Sequence, residues 1–289
     1  MPASSASAET DDGTAQSDEG DKEADASATD DLLGAFFGED DAAPLSAGRL
    51  SGRPGFSESA ATLPPGMMLL NLGMHLESDI DTGLLLSATA FDVPEALLRV
   101  GVFDYLEVRV GGSFRLAALA QDEDFDEPPP IRSGVGHFTL GGTVRILEER
   151  RYWPAVAALL AADVPLQNLR LGDFSARGTL ALQKSLLDRF FFRGNFGADW
   201  NGATERLTLP YRAQAAVAIG LGVGAYAELF GDIFVGGFGF DTLPSAWADG
   251  GLYYDLTERL RLDALLGVNA FGARGDWLAQ IGLTWLISS

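Results

Sequence analysis

From residue 67 to the end of the chain, apolar and polar residues alternate in short runs separated by turn residues. Period two places successive side chains on opposite faces of a strand, so each run predicts a strand with one apolar and one polar face. Residues 260–270 put Arg261, Asp263 and Asn269 on one face and Leu260, Leu262, Leu266 and Val268 on the other. The same division sets Glu107 and Arg109 apart from Leu106, Val108 and Val110, and Arg193, Asn195 and Asp199 apart from Phe190, Phe192 and Phe196. Twelve such runs are centred near residues 72, 92, 110, 140, 159, 180, 194, 215, 228, 251, 265 and 282, the second long and interrupted by Pro94.

The connections between runs alternate in length. Tight ones fall at 104, 148–152, 186–187, 222 and 257–258, and longer ones at 78–83, 116–133, 165–173, 200–208, 235–246 and 271–276. A tilted strand needs ~9–11 residues to cross a bilayer, and short turns on one rim with long loops on the other mark an outer-membrane barrel. The pattern therefore predicts an all-β fold: a closed antiparallel transmembrane β-barrel of about twelve strands over residues 67–289. An even strand count leaves both termini on the short-turn side, which predicts periplasmic termini in the outer membrane of a Gram-negative-type bacterium.

Tryptophan placement tests this independently, because aromatic girdles belong where strands meet the two interfaces. Trp153 opens a run after a short turn, Trp200, Trp247 and Trp277 fall at long-loop ends, and Trp285 lies near the last short-turn end. Tyr105, Tyr211 and Tyr254 are placed similarly. A soluble β-sandwich alternates too, but it would bury some tryptophan in mid-strand.

Upstream the composition changes. Residues 1–52 hold thirteen acidic residues against Lys22 and Arg49, with little apolar surface to offset the entropy of ordering, which predicts a disordered acidic tail. Leu32, Leu33, Phe36 and Phe37 interrupt that tract and are candidates for docking an envelope protein partner. Residues 53–66, crowded with proline and glycine, read as a lead-in that seats the first strand. Ala6-Ser7-Ala8 has the look either of a small-residue cleavage site or of a chance run.

Composition excludes several functions. The formal charge of -21 argues against binding a nucleic-acid backbone, which takes clustered Lys and Arg. No cysteine is present, so disulfides, thiolate metal sites and a cysteine nucleophile are ruled out. His75 and His137 are too few and too isolated for a metal cluster, no Gly-x-Ser-x-Gly elbow occurs, and residues 122–127 lack the glycine and glutamate spacing of a calcium loop. No cofactor, metal or enzymatic activity is predicted.

Charge of both signs recurs at the polar parity of the strands. Glu107, Arg109, Arg145, Arg177, Arg193 and Asp199 are candidate lumen-lining residues, as are Glu228, Asp232, Asp255, Arg261 and Asp263. Arg99, Arg115, Lys184 and Arg212 read the same way. Since Arg or Lys on the lipid face costs ~2–4 kcal/mol at the midplane, these groups must line water or pair with one another. Arg109, Arg193 and Arg261 are expected to face Glu107, Glu228 and Asp263.

Residues 53–287 resemble a known family, the phenol meta-pathway outer-membrane proteins, which are transporter-like. The likeness rests on Arg53-Pro54-Gly55-Phe56-Ser57-Glu58 with Pro64-Pro65-Gly66, and on Leu98-Arg99-Val100-Gly101 followed by Leu106-Glu107-Val108-Arg109. It rests also on Asp249-Gly250-Gly251-Leu252-Tyr253-Tyr254, Leu262-Asp263 and Gly282-Leu283-Thr284-Trp285. The chain departs from that pattern at His137 and in its last residues, Leu286-Ile287-Ser288-Ser289. The resemblance implies passage of small, including aromatic, solutes through the barrel. Two functions stand: a narrow channel, with outer-membrane lipid and a small solute as partners, and a non-conducting barrel that anchors or scaffolds an envelope complex through residues 1–52 or the long loops.

Overall fold

A computed structural model describes residues 46–52, 56–81, 87–119, 131–164, 174–186, 189–202, 205–235, 244–272 and 276–287. The twelve strands are β1 (Met68–Asp81), β2 (Ser87–Phe103), β3 (Leu106–Leu119), β4 (Ile131–Leu147), β5 (Ala155–Val164) and β6 (Ser175–Leu186), followed by β7 (Phe190–Asn201), β8 (Arg206–Gly220), β9 (Val223–Val235), β10 (Ser245–Thr257), β11 (Leu260–Phe271) and β12 (Trp277–Ile287). Each pairs antiparallel with its neighbours in sequence, and β1 closes on β12 from Met68↔Ile287 to Ser78↔Trp277. Closure leaves no unpaired strand edge, which is what lets a sheet stand in hydrocarbon.

The alternation sorts as its parity requires. In β11, Arg261, Asp263, Leu265 and Gly267 are buried towards the lumen, whereas Leu262, Ala264, Leu266 and Val268 are exposed on the outside. Pro94, which has no N–H to give a ladder, lies where the β2–β3 register shifts between Asp92 and Glu95. The short connections are 104–105, 148–154, 187–189, 221–222 and 258–259, and β1 begins and β12 ends on their rim. The opposite rim carries the longer connections, although 202–205 between β7 and β8 has only four residues.

The segment before β1 departs from the sequence expectation. Composition predicts residues 46–52 to belong to a tail without regular structure, yet Ala47–Leu50 form a helical turn, α1, capped by Ser46, whose hydroxyl accepts from the Arg49 N–H. Ala47 and Leu50 are fully buried with Leu63, Leu69 and Leu286. Tail composition alone cannot count this apolar surface, because its partners lie on β1, on β12 and in the lead-in. The lead-in, in turn, does more than seat β1: residues 56–64 pack against luminal side chains before the chain turns at Pro65-Gly66, where the Gly66 N–H donates to the Gly101 carbonyl. Small luminal residues make the space, as where Ala60 packs on Ala155, Ala157 and Ala181. Leu32, Leu33, Phe36, Phe37 and the acidic residues 122–127 lie outside the described residues.

Candidate functional site

Residues 46–52 and 56–66 form a plug inside the barrel. It starts at the short-turn rim, where the Ala47 N–H donates to the Glu258 carbonyl (2.9 Å), reaches mid-barrel at Phe56 and Ser57, and returns to the same rim, where the Thr62 hydroxyl donates to the Asp104 carbonyl (2.7 Å). A backbone in this position has no sheet partner and little water, so wall side chains must satisfy it. Arginines meet its carbonyls: Arg193 Nη2 donates to Gly48 (3.1 Å), Arg99 donates to Leu50 and, through Nη2, to Ala61 (3.0 Å), and Arg212 donates to Phe56. Acceptors meet its donors. Glu228 takes the Phe56 N–H (2.8 Å) and the Ser57 hydroxyl (2.6 Å), Asn195 takes the Glu58 N–H (2.6 Å), and Glu107 takes the Leu63 N–H (3.2 Å).

Neutral polar residues complete the grip. The Ser59 hydroxyl donates to Gln183 Oε1 (2.9 Å), and the Ser51 and Thr284 hydroxyls share a hydrogen bond of 2.9 Å beside Asn71. At Gly48 the Arg261 guanidinium lies so close that a Cβ would fall 1.9 Å from Nη2, so any larger residue there would have to push that guanidinium aside. Sequence reasoning missed Asn71, Gln183 and Thr284 as plug contacts. The available signal was their shared inward parity on strands whose other inward positions are small or charged.

Around the plug the charges pair, in one case as the sequence suggested and in two cases differently. Glu107, fully buried, accepts from Arg99 Nε (2.9 Å) and Nη2 (2.8 Å) and from Arg109 Nε (2.8 Å), while Arg109 Nη1 reaches Glu58 on the plug (2.8 Å). Burial by itself would raise the Glu58 carboxyl, but the charge of Arg109 and its hydrogen bond outweigh that and hold it at about 2, against an ordinary 4.5. Arg109 thus faces Glu107 as anticipated. Arg261 instead binds Asp255 through Nε (2.6 Å) and Nη2 (2.8 Å) and lies 3.9 Å from the Tyr253 ring centre. Arg193, beyond its bond to Gly48, reaches Gln214 (3.5 Å) rather than Glu228.

The other candidates are placed as follows. Arg177 binds Asp163 (2.6 Å), Arg115 binds Asp92 through two bonds (2.8 and 2.7 Å), and Arg145 meets Glu148 at the short-turn rim (3.2 Å). Asp199, Asp232 and Asp263 share the luminal parity of their strands. Lys184 does not: it lies at the opposite parity from buried Gln183, and its ammonium reaches the Arg150 carbonyl and Glu149 at the rim. A lysine at a strand end can reach the interface from the outer face, which removes the cost that parity reasoning assigned to it. His75 meets Phe56 edge-on at 5.8 Å, and the side chain of His137 lies outside the described residues.

On the outer surface Tyr105, Trp153, Tyr254 and Trp285 are exposed towards the short-turn rim, and Trp200 and Trp277 towards the long-loop rim. Tyr211 is half-buried, and its hydroxyl crosses β9 to donate to the Ser245 carbonyl (3.1 Å) over Gly231, where a Cβ would sit 1.9 Å from that carbonyl oxygen and 2.6 Å from the hydroxyl. Trp247 corrects the girdle. It is 5% exposed and faces the lumen, stacked on Phe230 (6.1 Å), which meets Phe56 on the plug (4.6 Å). A loop end can present tryptophan to either face, and only the β10 register decides which.

On the long-loop side of the plug lies a cavity of about 160 Å³. The plug contributes Glu58, the charged wall contributes Glu95, Arg109, Arg177, Asp199 and Arg212, and Leu97, Leu159, Ala161 and Pro210 supply apolar surface. With a plugged lumen, a mixed-charge wall and a small chamber, the arrangement can hold and select a small solute.

Comparison with known proteins agrees with this architecture. The COG4313 outer membrane channel from Pseudomonas putida F1 is similar over 81% of this chain and 99% of that chain, at 14% identity and a TM-score of 0.61, which shows a shared fold. The CymD monoaromatic hydrocarbon channel matches at 10% identity and a TM-score of 0.44 over 78% of this chain and 90% of its own, and the NanC porin at 8% and 0.47 over 75% and 98%. No curated protein matches the sequence. A family model matches residues 51–286, from the residue after α1 to the penultimate residue of β12, and the chain belongs to that family, described as "Putative MetA-pathway of phenol degradation".

Proposed function

We propose that this protein is a narrow outer-membrane channel for small solutes, including aromatic ones, and not an enzyme. The observation that carries the reading is the cavity beside Glu58, inside a closed barrel whose short-turn half holds the plug. A solute entering from the long-loop rim meets this chamber first and passes the plug second. On the rule that long loops face outward, the short-turn rim and both termini are periplasmic. The membership in a family described by phenol degradation supports a small aromatic cargo.

A second reading has its own support. Wall side chains bind the plug on both its carbonyl and its N–H sides, an arrangement that also suits a sealed barrel used as an anchor or scaffold. Planar-bilayer recordings separate the two. The channel reading expects discrete current steps from the full chain and larger steps from a variant lacking residues 1–60. Folded protein that stays silent in both forms leaves the scaffold.

A further inference from the structure

Away from the solute path, we infer that the short-turn rim across β4–β7 is a docking surface for an anionic phospholipid, whose headgroup phosphate meets Arg150, Arg151 and Arg189. The chain carries a formal charge of -21, so a cationic surface on it has to be built locally. The β4–β5 turn and the end of β6 are tied together. The Ser185 N–H donates to Glu149 (2.6 Å), and the Lys184 ammonium reaches both Glu149 (3.7 Å) and the Arg150 carbonyl. Arg189 follows in the β6–β7 turn, where its N–H meets the Leu186 carbonyl (3.4 Å). The two glutamates of the group already have cations of their own: Arg49 of the plug (3.5 Å) and Lys184 for Glu149, and Arg145 (3.2 Å) for Glu148. Arg150, Arg151 and Arg189 are all exposed. With Asp188 counted, this side of the rim holds six cations (Arg49, Arg145, Arg150, Arg151, Lys184, Arg189) against three anions (Glu148, Glu149, Asp188). The other short turns hold Asp104, Glu258 and Arg259, so the positive excess is confined to one side.

Depth points to a lipid headgroup. Lys184 stands at the outer parity between exposed Leu182 and Leu186, and its ammonium bends to the rim; exposed Tyr152 and Trp153 lie on the neighbouring turn. A lysine that leaves hydrocarbon in this way and an aromatic girdle both mark the plane of the headgroups. Arg151 lies over the Tyr152 ring (5.4 Å), which keeps its guanidinium in that plane. Ile146, Leu182, Leu186 and Phe190 are exposed on the outside and give acyl chains an apolar wall below the arginines. One anionic lipid therefore covers charge and wall together, whereas an acidic protein would have to reach the arginines through the headgroup layer. Guanidinium groups suit the phosphate because their parallel donors match its oxygens. On the orientation proposed above, this lipid belongs to the periplasmic leaflet.

The test is native mass spectrometry of the full chain in detergent, offered an equal mixture of phosphatidylglycerol and phosphatidylcholine with identical acyl chains. The singly lipid-bound species is expected to favour phosphatidylglycerol by at least about fivefold, the factor that one arginine near an anionic surface supplies. In Arg150→Gln/Arg151→Gln/Arg189→Gln the preference is expected to fall below about twofold, and in Arg150→Gln alone to fall by at least about half. Arg259→Gln, on another short turn, is expected to keep it. Circular dichroism checks that each variant is folded, and the single variant serves if the triple one is not. Equal binding of the two lipids, a preference undiminished in Arg150→Gln and the triple variant, or the same loss in Arg259→Gln overturns the docking surface. Lipid binding is read on purified protein without transport or cellular orientation. A silent bilayer therefore strikes at the channel reading alone, and labelling of the short-turn rim from outside the cell strikes at the orientation alone.

Discussion

Single residues in this barrel are governed by which of two solvents they face. Leu262 is 41% exposed on the outside and Asp263 is 6% exposed towards the lumen, one residue apart. Leu262→Arg is expected to cost about 2–4 kcal/mol of folding stability in lipid, and Asp263→Asn far less, because only the first places a charge in hydrocarbon. Folded yield in phospholipid vesicles measures this, and equal yields would contradict the register. Glu58 belongs to the plug rather than to a strand, and its carboxyl is held at about 2. A carboxyl depressed in the folded state contributes stability above its ordinary range near 4.5 that is lost as pH falls through the folded value. Plug anchoring through Glu58 should therefore be unchanged between pH 8 and 5, and Glu58→Gln should loosen it throughout that interval; protease access to the plug reads both. The inward parity of Arg109 and Glu107 was legible from alternation alone, and so was their pairing. That Arg193 serves the Gly48 carbonyl was not legible, since no local pattern points to a backbone group 145 residues away.

At the scale of elements, the strands and the plug answer to different physics. Every strand centre was readable because a two-sided strand writes its environment into each pair of residues. The plug has no period. Its segment looks polar and proline-rich, and its order comes from luminal arginines, carboxylates and amides that it meets only once the barrel has closed. Ser51 and Thr284 offer a direct test, as their side-chain oxygens lie 2.9 Å apart in a chain without cysteine. The double variant Ser51→Cys/Thr284→Cys is expected to form a disulfide under oxidation that locks the plug to β12. Bilayer current should then become steady and small, and a reductant should restore the fluctuations of the parent. A locked variant that conducts like the parent would show that the plug stays in place during conduction. The girdle teaches a related lesson: Trp153 and Trp285 followed the rule for loop ends, whereas Trp247 turned inward to stack on Phe230.

For the molecule as a whole, the formal charge of -21 sets the long-range field, while the luminal charges described above are largely paired. Weak cation selectivity at low salt that fades as salt rises is therefore expected, because exposed charge is screened within a Debye length of about 10 Å at 0.1 M. The reversal potential in asymmetric potassium chloride measures it, and clear anion preference would remove the role given to surface charge. The sequence by itself determined the strand number, the faces, the closed barrel and the membrane it suits, because alternation and turn spacing are local and the two solvents differ greatly. Only the tertiary structure decided that residues 46–52 and 56–66 enter the lumen, that arginines hold their carbonyls, and that a chamber remains beside Glu58. Those features depend on side chains brought together across the barrel, where separation along the chain carries no information about distance.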